Sequence, residues 1–177
     1  MTRTVYYTAT TLDGFIATDD HSLDWLLPRD NDPAGPMGYD SFFADVGALV
    51  MGASTYAWVI EELDGTWPYD LPTWVITHRT FPPRSDGADL RFASGDVGAL
   101  HPAMTAAANG KDLWVVGGGD LAGQFADQGL LDAVQVSVAP VTLGAGAPLL
   151  PRHVELRLTA VAQNRDFACL SYEVVRA

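Results

Sequence analysis

The sequence predicts one α/β domain, built on a mixed, mostly parallel sheet that is flanked by helices and ends in an antiparallel hairpin. Over the first two thirds of the chain, short apolar runs alternate with helical segments, which is typical of parallel crossovers. Over the last third, two alternating runs at 155–163 and 167–175 are joined by a short polar turn, which indicates a hairpin. The length of 177 residues suits a single domain with a sizeable core, so we assign residues 1–177 to one domain.

The individual elements follow from apolar runs, helical periodicity and turn residues. Apolar and β-branched runs predict strands over 5–10, 48–51, 73–77, 90–92, 113–116 and 133–140. Helices are predicted over 39–43, 54–60, 96–109 and 121–128. Clusters of proline, glycine and aspartate predict loops over 28–40 and 80–89.

Composition excludes several classes of function. The formal net charge of −12 argues against nucleic acid and anionic membranes as partners. No apolar run approaches the roughly 20 residues that cross a bilayer, and the first residues do not have the layout of a signal peptide. Cys169, the only cysteine, lies among apolar residues, and no His/Cys set has metal-ligand spacing. We therefore expect a cytoplasmic protein that binds a small molecule and no metal.

A glycine run marks the first candidate site. The apolar segment 113–116 leads into three glycines at 117–119, and a predicted helix follows them. Glycine lets backbone N–H groups approach an anion, and a helix N-terminus adds positive potential, so this turn is typical of a phosphate site. The alternative is a tight strand-to-helix turn that needs glycine only for its backbone angles.

Four segments resemble one family in order along nearly the whole chain. They are 10–17, 50–56, 115–119 together with 129–132, and 138–150. The set resembles the dihydrofolate reductase-like superfamily, and within it the branch of the C-terminal reductase domain of the bifunctional riboflavin-biosynthesis deaminase-reductase. The resemblance implies an NADP(H)-dependent reductase fold that is often a homodimer. It also implies a small substrate, which is a pyrimidine ribosyl-phosphate in some members and dihydrofolate in others.

The resemblance also implies a set of cofactor contacts. Beside the nicotinamide it implies Ala9, Ile16 and Ala17; at two helix starts Gly52, Ala53, Ser54, Thr55, Val116, Gly117, Gly118, Gly119, Asp120 and Leu121; and at the 2′-phosphate Thr77, His78 and Arg79. Plainer interpretations stay open: Asp120 as a helix N-cap or first-turn residue, Ser54 or Thr55 as a cap, and a solvated loop holding Arg79, Arg84 and Arg91. The chain departs from the family at Ala53, where reductases often have arginine, and at Ala133, where the riboflavin branch often has an acid.

Hydride transfer to a C=N bond also needs a proton source. The resemblance implies Asp30 or Asp24, from the stretch that faintly matches the dihydrofolate reductase acid, and Asp13, which faces the substrate in the riboflavin branch. Aromatic residues in segments that could line a substrate cleft are Trp25, Tyr39, Phe42 and Trp67. The sequence predicts an NADPH-dependent reductase of a pterin-like or pyrimidine-like heterocycle. The alternative is an NADP(H)-binding module of the same fold with little or no catalysis.

Overall fold

In a computed structural model, which describes residues 1–176, ten strands and four helices follow one another along the chain. The strands are β1 (Thr4–Thr11), β2 (Phe15–Ala17), β3 (Val46–Gly52), β4 (Thr73–Ile76), β5 (Leu90–Ala93), β6 (Asp112–Gly117), β7 (Ala133–Ala139), β8 (Ala147–Pro148), β9 (Leu156–Asn164) and β10 (Phe167–Val174). The helices are α1 (Tyr39–Ala44), α2 (Ala53–Glu62), α3 (Val97–Ala107) and α4 (Gly119–Asp127). No helix of the described chain has the length and apolar character needed to cross a membrane.

Eight of the strands form one mixed sheet in the order β5-β4-β3-β6-β1-β7-β10-β9. The six strands from β5 to β7 are parallel to their neighbours, whereas β10 is antiparallel to both β7 and β9. The predicted parallel crossovers and the predicted C-terminal hairpin are therefore both confirmed. The hairpin turn is shorter than predicted, because Asn164 still belongs to β9 and pairs with Phe167.

The central strand β3 is buried on both faces of the sheet. Ala48 and Val50 lie in the core cluster that includes residues of α3 and α4. Leu49 and Met51 lie in the opposite cluster, against which α1 and α2 pack. Helices cover both faces of a parallel sheet, and this explains why β3 reads as a continuous apolar run rather than an alternating one.

Two short strands were not predicted from the sequence. β2 and β8 form a separate antiparallel pair that joins Phe15 to Pro148, far apart along the chain. Strands of three and two residues carry no periodicity of their own, so only the tertiary fold brings them together. This pair lies beside the glycine turn, where Ile16 and Pro148 both line a cavity.

Candidate functional site

A cavity of about 590 Å³ lies at the carboxyl ends of β3 and β6, which are neighbours in the sheet. From β3 the chain passes through α2 to β4 on one side, and from β6 it passes through α4 to β7 on the other. Ligands of open α/β sheets bind at such a topological switch point. Among the predicted residues, those that line this cavity are Ile16, Ala17, Gly52, Ala53, Ser54, Thr55, Val116, Gly117, Gly118, Gly119, Asp120 and Leu121.

Both helices that begin at this cavity lack a capping side chain. The N-cap residues are Gly52 for α2 and Gly118 for α4, each in an extended conformation without a side-chain hydrogen bond. The interpretation of Ser54, Thr55 or Asp120 as caps is therefore wrong, because all three lie within the first helical turns. For Asp120 the other interpretation, an acidic residue in the first turn of the helix, is confirmed. The N–H groups in the first turns of α2 and α4 therefore have no capping side chain. Each of these helix starts contributes positive potential to the cavity.

The three glycines of the turn meet different demands. Gly117 has a φ of +151°, a region that L side chains rarely adopt, and its peptide bond to Gly118 is cis. An ideal Cβ at Gly119 would lie 2.3 Å from the carbonyl oxygen of Pro148, so this position must stay free of a side chain. A Cβ at Gly118 would come no closer than 3.7 Å, to Ile16 Cδ1. The fold accounts for glycine at 117 and 119, whereas at 118 it leaves open room in the cavity wall.

Two side chains hold Asp120, the acidic residue at this turn. Gln124 Nε2 donates to one carboxylate oxygen at 3.0 Å, and Arg152 Nη2 donates to the other at 2.9 Å. The hydrogen bond from Gln124, followed by that from Arg152, lowers the pKa of Asp120. The carboxylate is therefore ionised at neutral pH.

The predicted 2′-phosphate residues lie just outside the cavity. β4 ends at Ile76, which lines the cavity, and Thr77, His78 and Arg79 follow it without lining it. The Arg79 guanidinium is exposed and lies 5.1 Å from the centre of the Phe81 ring. It makes no ion pair with any described residue.

The other two arginines of this segment are paired locally. Arg84 is bonded to Asp86, and Arg91 pairs with Asp89 at 2.8 Å while its guanidinium lies over the Trp74 ring. The predicted cluster of three arginines thus leaves one guanidinium, that of Arg79, without an acidic partner among residues 1–176.

A second cavity of about 370 Å³ shares Tyr7 and Thr8 of β1 with the first. Its floor includes Ser137 and Cys169, and its wall includes residues of the loop that precedes α1, such as Arg29. Ala9, predicted beside the nicotinamide, lines this second cavity instead. The two cavities therefore adjoin at the middle of β1.

Tyr7 lines both cavities and packs against two aromatic rings. Its ring stacks on Phe42 with centroids 4.0 Å apart, and Trp114 approaches it edge-on at 6.0 Å. Burial raises the pKa of the Tyr7 hydroxyl to about 12, so the group is neutral at physiological pH.

The three predicted carboxylates lie outside both cavities. Asp13 accepts hydrogen bonds from Thr11 Oγ1 at 2.6 Å and from the backbone N–H of Gly144 at 2.7 Å. The Thr11 bond is the main reason why the pKa of Asp13 is lowered, and the group closes a loop in its ionised form. Asp24 and Asp30 are exposed, and the backbone of Asp30 is paired with the hairpin turn.

Asp32, two residues beyond the predicted Asp30, is the acidic residue among those that line the second cavity, and its carboxylate lies 4.0 Å from the Arg165 guanidinium. Sequence reasoning missed it because residues 28–40 form a loop without periodicity. The buried Asn164 fixes its backbone: Asn164 Oδ1 accepts from the N–H of Asp32, and Asn164 Nδ2 donates to its carbonyl, both at 2.9 Å. The sequence predicts the loop and the hairpin separately, and nothing in it indicates that Asn164 contacts Asp32.

Some of the predicted aromatic residues line a cavity, and the others belong to the core. Of the four predicted to line a cleft, Tyr39 lines the second cavity, whereas Trp25, Phe42 and Trp67 belong to core clusters. The aromatic residues that line the first cavity are Tyr7, Trp58, Tyr69 and Trp114.

A family model described as the RibD C-terminal domain matches residues 68–167, more than half of the chain. The chain belongs to the RibD C-terminal domain family. It is 33% identical over 174 residues to the uncharacterized protein YwjB of Bacillus subtilis, with 96% of this chain and 97% of that protein covered. It is 30% identical over 155 residues to the riboflavin biosynthesis protein RibD of Corynebacterium ammoniagenes, covering 80% of this chain but 44% of that protein. The predicted family is thus confirmed.

Solved structures confirm the predicted fold. A putative riboflavin biosynthesis protein from Shewanella sp. PV-4 superposes with a TM-score of 0.83 at 26% identity, covering 98% of this chain and 99% of that one. A dihydrofolate reductase from Enterococcus faecalis, in complex with NADP(H), superposes with a TM-score of 0.57 at 14% identity, covering 97% and 96%. The second likeness concerns the fold alone.

Proposed function

We propose that this protein is an NADPH-dependent reductase of a small heterocyclic substrate, either pterin-like or a pyrimidine-type flavin precursor. The observation that carries the proposal is the meeting of two cavities at Tyr7 and Thr8. Transfer of a hydride needs two ligands in direct contact, and a protein of the RibD C-terminal domain family with two adjoining cavities offers that arrangement.

The larger cavity suits the cofactor in this proposal. The starts of α2 and α4 offer backbone N–H groups to the pyrophosphate. Ile16 and Ala17 of β2 offer an apolar wall for the nicotinamide, which supplies the hydride when the cofactor is bound. Arg79, beyond the end of β4 and without an acidic partner among the described residues, is the proposed contact of the 2′-phosphate.

The smaller cavity suits the substrate. Asp32 is the acidic residue that lines it, so we assign the role of proton source to Asp32 rather than to Asp30. Tyr7 and Tyr39 are neutral at physiological pH, since burial raises the pKa of both, and they offer hydroxyl groups to a polar ring.

The first experiment measures the affinity for NADPH and for NADH by fluorescence titration, with wild type, Arg79→Ala and Arg91→Ala. A charged hydrogen bond contributes about 1.5–3 kcal/mol, so Arg79→Ala should weaken NADPH binding about 10- to 150-fold and leave NADH unchanged. Arg91→Ala is the matched control, because Arg91 is already paired with Asp89. The absence of NADPH binding to wild type at millimolar concentration would refute the proposal.

The second experiment separates a reductase from a binding module. Oxidation of NADPH is followed with dihydrofolate and with a panel of flavin precursors as substrates. Asp32→Asn should lower kcat while leaving the Kd for NADPH unchanged, because Asp32 lines the second cavity and not the first. Equal activity of wild type and Asp32→Asn on a substrate that is turned over would exclude Asp32 as the proton source.

A further inference from the structure

The Arg152 side chain packs against helix α4 and forms hydrogen bonds with two of its carboxylates. Its Nη2 donates to Asp120 Oδ1 at 2.9 Å, and its Nε donates to Asp127 Oδ2 at 2.8 Å. The helix has no side chain where the arginine crosses it: an ideal Cβ at Gly123 would lie 2.8 Å from Arg152 Cγ and 3.1 Å from Cζ. Glycine is a poor residue for a helix interior, and this contact explains its presence in α4.

The two partners of Arg152 differ in their relation to the larger cavity. Asp120 lines that cavity in the first turn of α4, whereas Asp127, at the last residue of the helix, does not line it. No lysine or arginine among the described residues lines the cavity. An anion at this helix start would therefore meet one carboxylate, in a protein of formal net charge −12.

We propose that Arg152 is a positioning residue of the cofactor site, which neutralises Asp120 so that the start of α4 can accept a phosphate group. This inference rests on the proposed function of the larger cavity as the NADPH site. Arg152 holds one oxygen of Asp120 and Gln124 holds the other, so the carboxylate is kept on the helix surface. The backbone N–H groups of the turn then face the phosphate without a competing acceptor.

The segment that carries Arg152 is itself fixed to the cavity wall. Pro148 and Pro151 line the cavity on either side of Leu149. The carbonyl of Leu149 accepts a hydrogen bond from Tyr6 Oη at 3.0 Å, and its N–H donates to the carbonyl of Gly14 at 2.9 Å. The backbone that carries the Arg152 side chain is thus held in place by these hydrogen bonds.

The test is a titration of NADPH against wild type, Arg152→Gln, Asp120→Asn, Asp127→Asn and the Arg152→Gln/Asp120→Asn double variant. One uncompensated charge near a phosphate predicts a Kd about threefold to tenfold higher for Arg152→Gln. The double variant should return to within about twofold of wild type, since the repelling carboxylate is gone. The defect of Arg152→Gln should also shrink at high salt, as expected for an exposed charge.

Asp127→Asn is the matched control, because it changes the net charge by the same amount and also removes one partner of Arg152. Asp120→Asn should lower the Kd about twofold to fivefold, while Asp127→Asn leaves it within about twofold of wild type. Should Arg152→Gln fail to fold, this pair of variants still decides the question.

Two results would overturn the inference. If Arg152→Gln and the double variant were weakened equally, Arg152 would act only through the structure of the segment 147–152. If Asp120→Asn and Asp127→Asn changed the Kd equally, the effect would come from net charge and not from the site. Failure of wild type to bind NADPH would instead refute the proposed function, and this result is visible before any variant is made.

Discussion

Replacing Gly119 with alanine tests whether the start of α4 packs directly against the backbone of Pro148 and Leu149. An ideal Cβ there lies 2.3 Å from the carbonyl oxygen of Pro148 and 2.4 Å from that of Leu149. Both oxygens belong to the backbone and cannot rotate away, and Leu149 is held further by Tyr6 and Gly14. Overpacking of this kind costs about 1–3 kcal/mol, and the fixed neighbours favour the upper half of that range.

For a protein of this size, each kcal/mol lowers the melting temperature by about 2–4 °C, so Gly119→Ala should melt roughly 4–12 °C below wild type. The assay is thermal unfolding followed by circular dichroism, without cofactor. Gly118→Ala is the control: its Cβ meets nothing closer than 3.7 Å, and replacing an N-cap glycine costs about 1 kcal/mol or less. A Gly119→Ala protein that melts at the wild-type temperature would refute the argument from close approach.

Two further predictions concern the hairpin and helix α3. Asn164→Ala removes three hydrogen bonds to the loop before α1, at 2.9, 2.9 and 3.2 Å, and should lower the free energy of unfolding, measured in urea, by about 2–4 kcal/mol. The control is Gln163→Ala at the exposed neighbouring position, which should lower it by less than about 1 kcal/mol. Equal losses for the two variants would contradict the role of Asn164 in fixing the loop. His101 is half-buried, with Nε2 2.8 Å from Thr4 Oγ1, and burial lowers its pKa. The unfolded chain therefore takes up a proton first, and the stability present above about pH 6.5 is lost as the pH falls through that value towards the folded pKa. His101→Gln should show a smaller loss of melting temperature on acidification than wild type, and an identical loss would exclude His101 as a source of it.

Local patterns determined most of the fold. The run at 48–51 could be assigned to a buried strand because both faces of β3 are covered, and the polar turn at 164–166 marked the hairpin because turn chemistry is local. The choice between N-cap and first-turn residue for Asp120 could not be made from the sequence, which does not show that α4 begins at Gly119. The pairing of β2 with β8 could not be found, because two- and three-residue strands have no period to detect.

The sequence by itself determined the glycine turn between β6 and α4, since glycines after an apolar strand are a property of adjacent residues, and it predicts a phosphate site there. It could not determine which acidic residue lines the second cavity, because Asp30 and Asp32 are equivalent in a loop without periodicity. The hydrogen bonds that fix this loop, between Asn164 and Asp32 and between Asp166 and Asp30, are tertiary contacts. The contact between Arg152 and Asp120 is likewise decided by the tertiary structure. The two residues are 32 positions apart in the chain, and pairing of charges over that separation produces no pattern in the sequence.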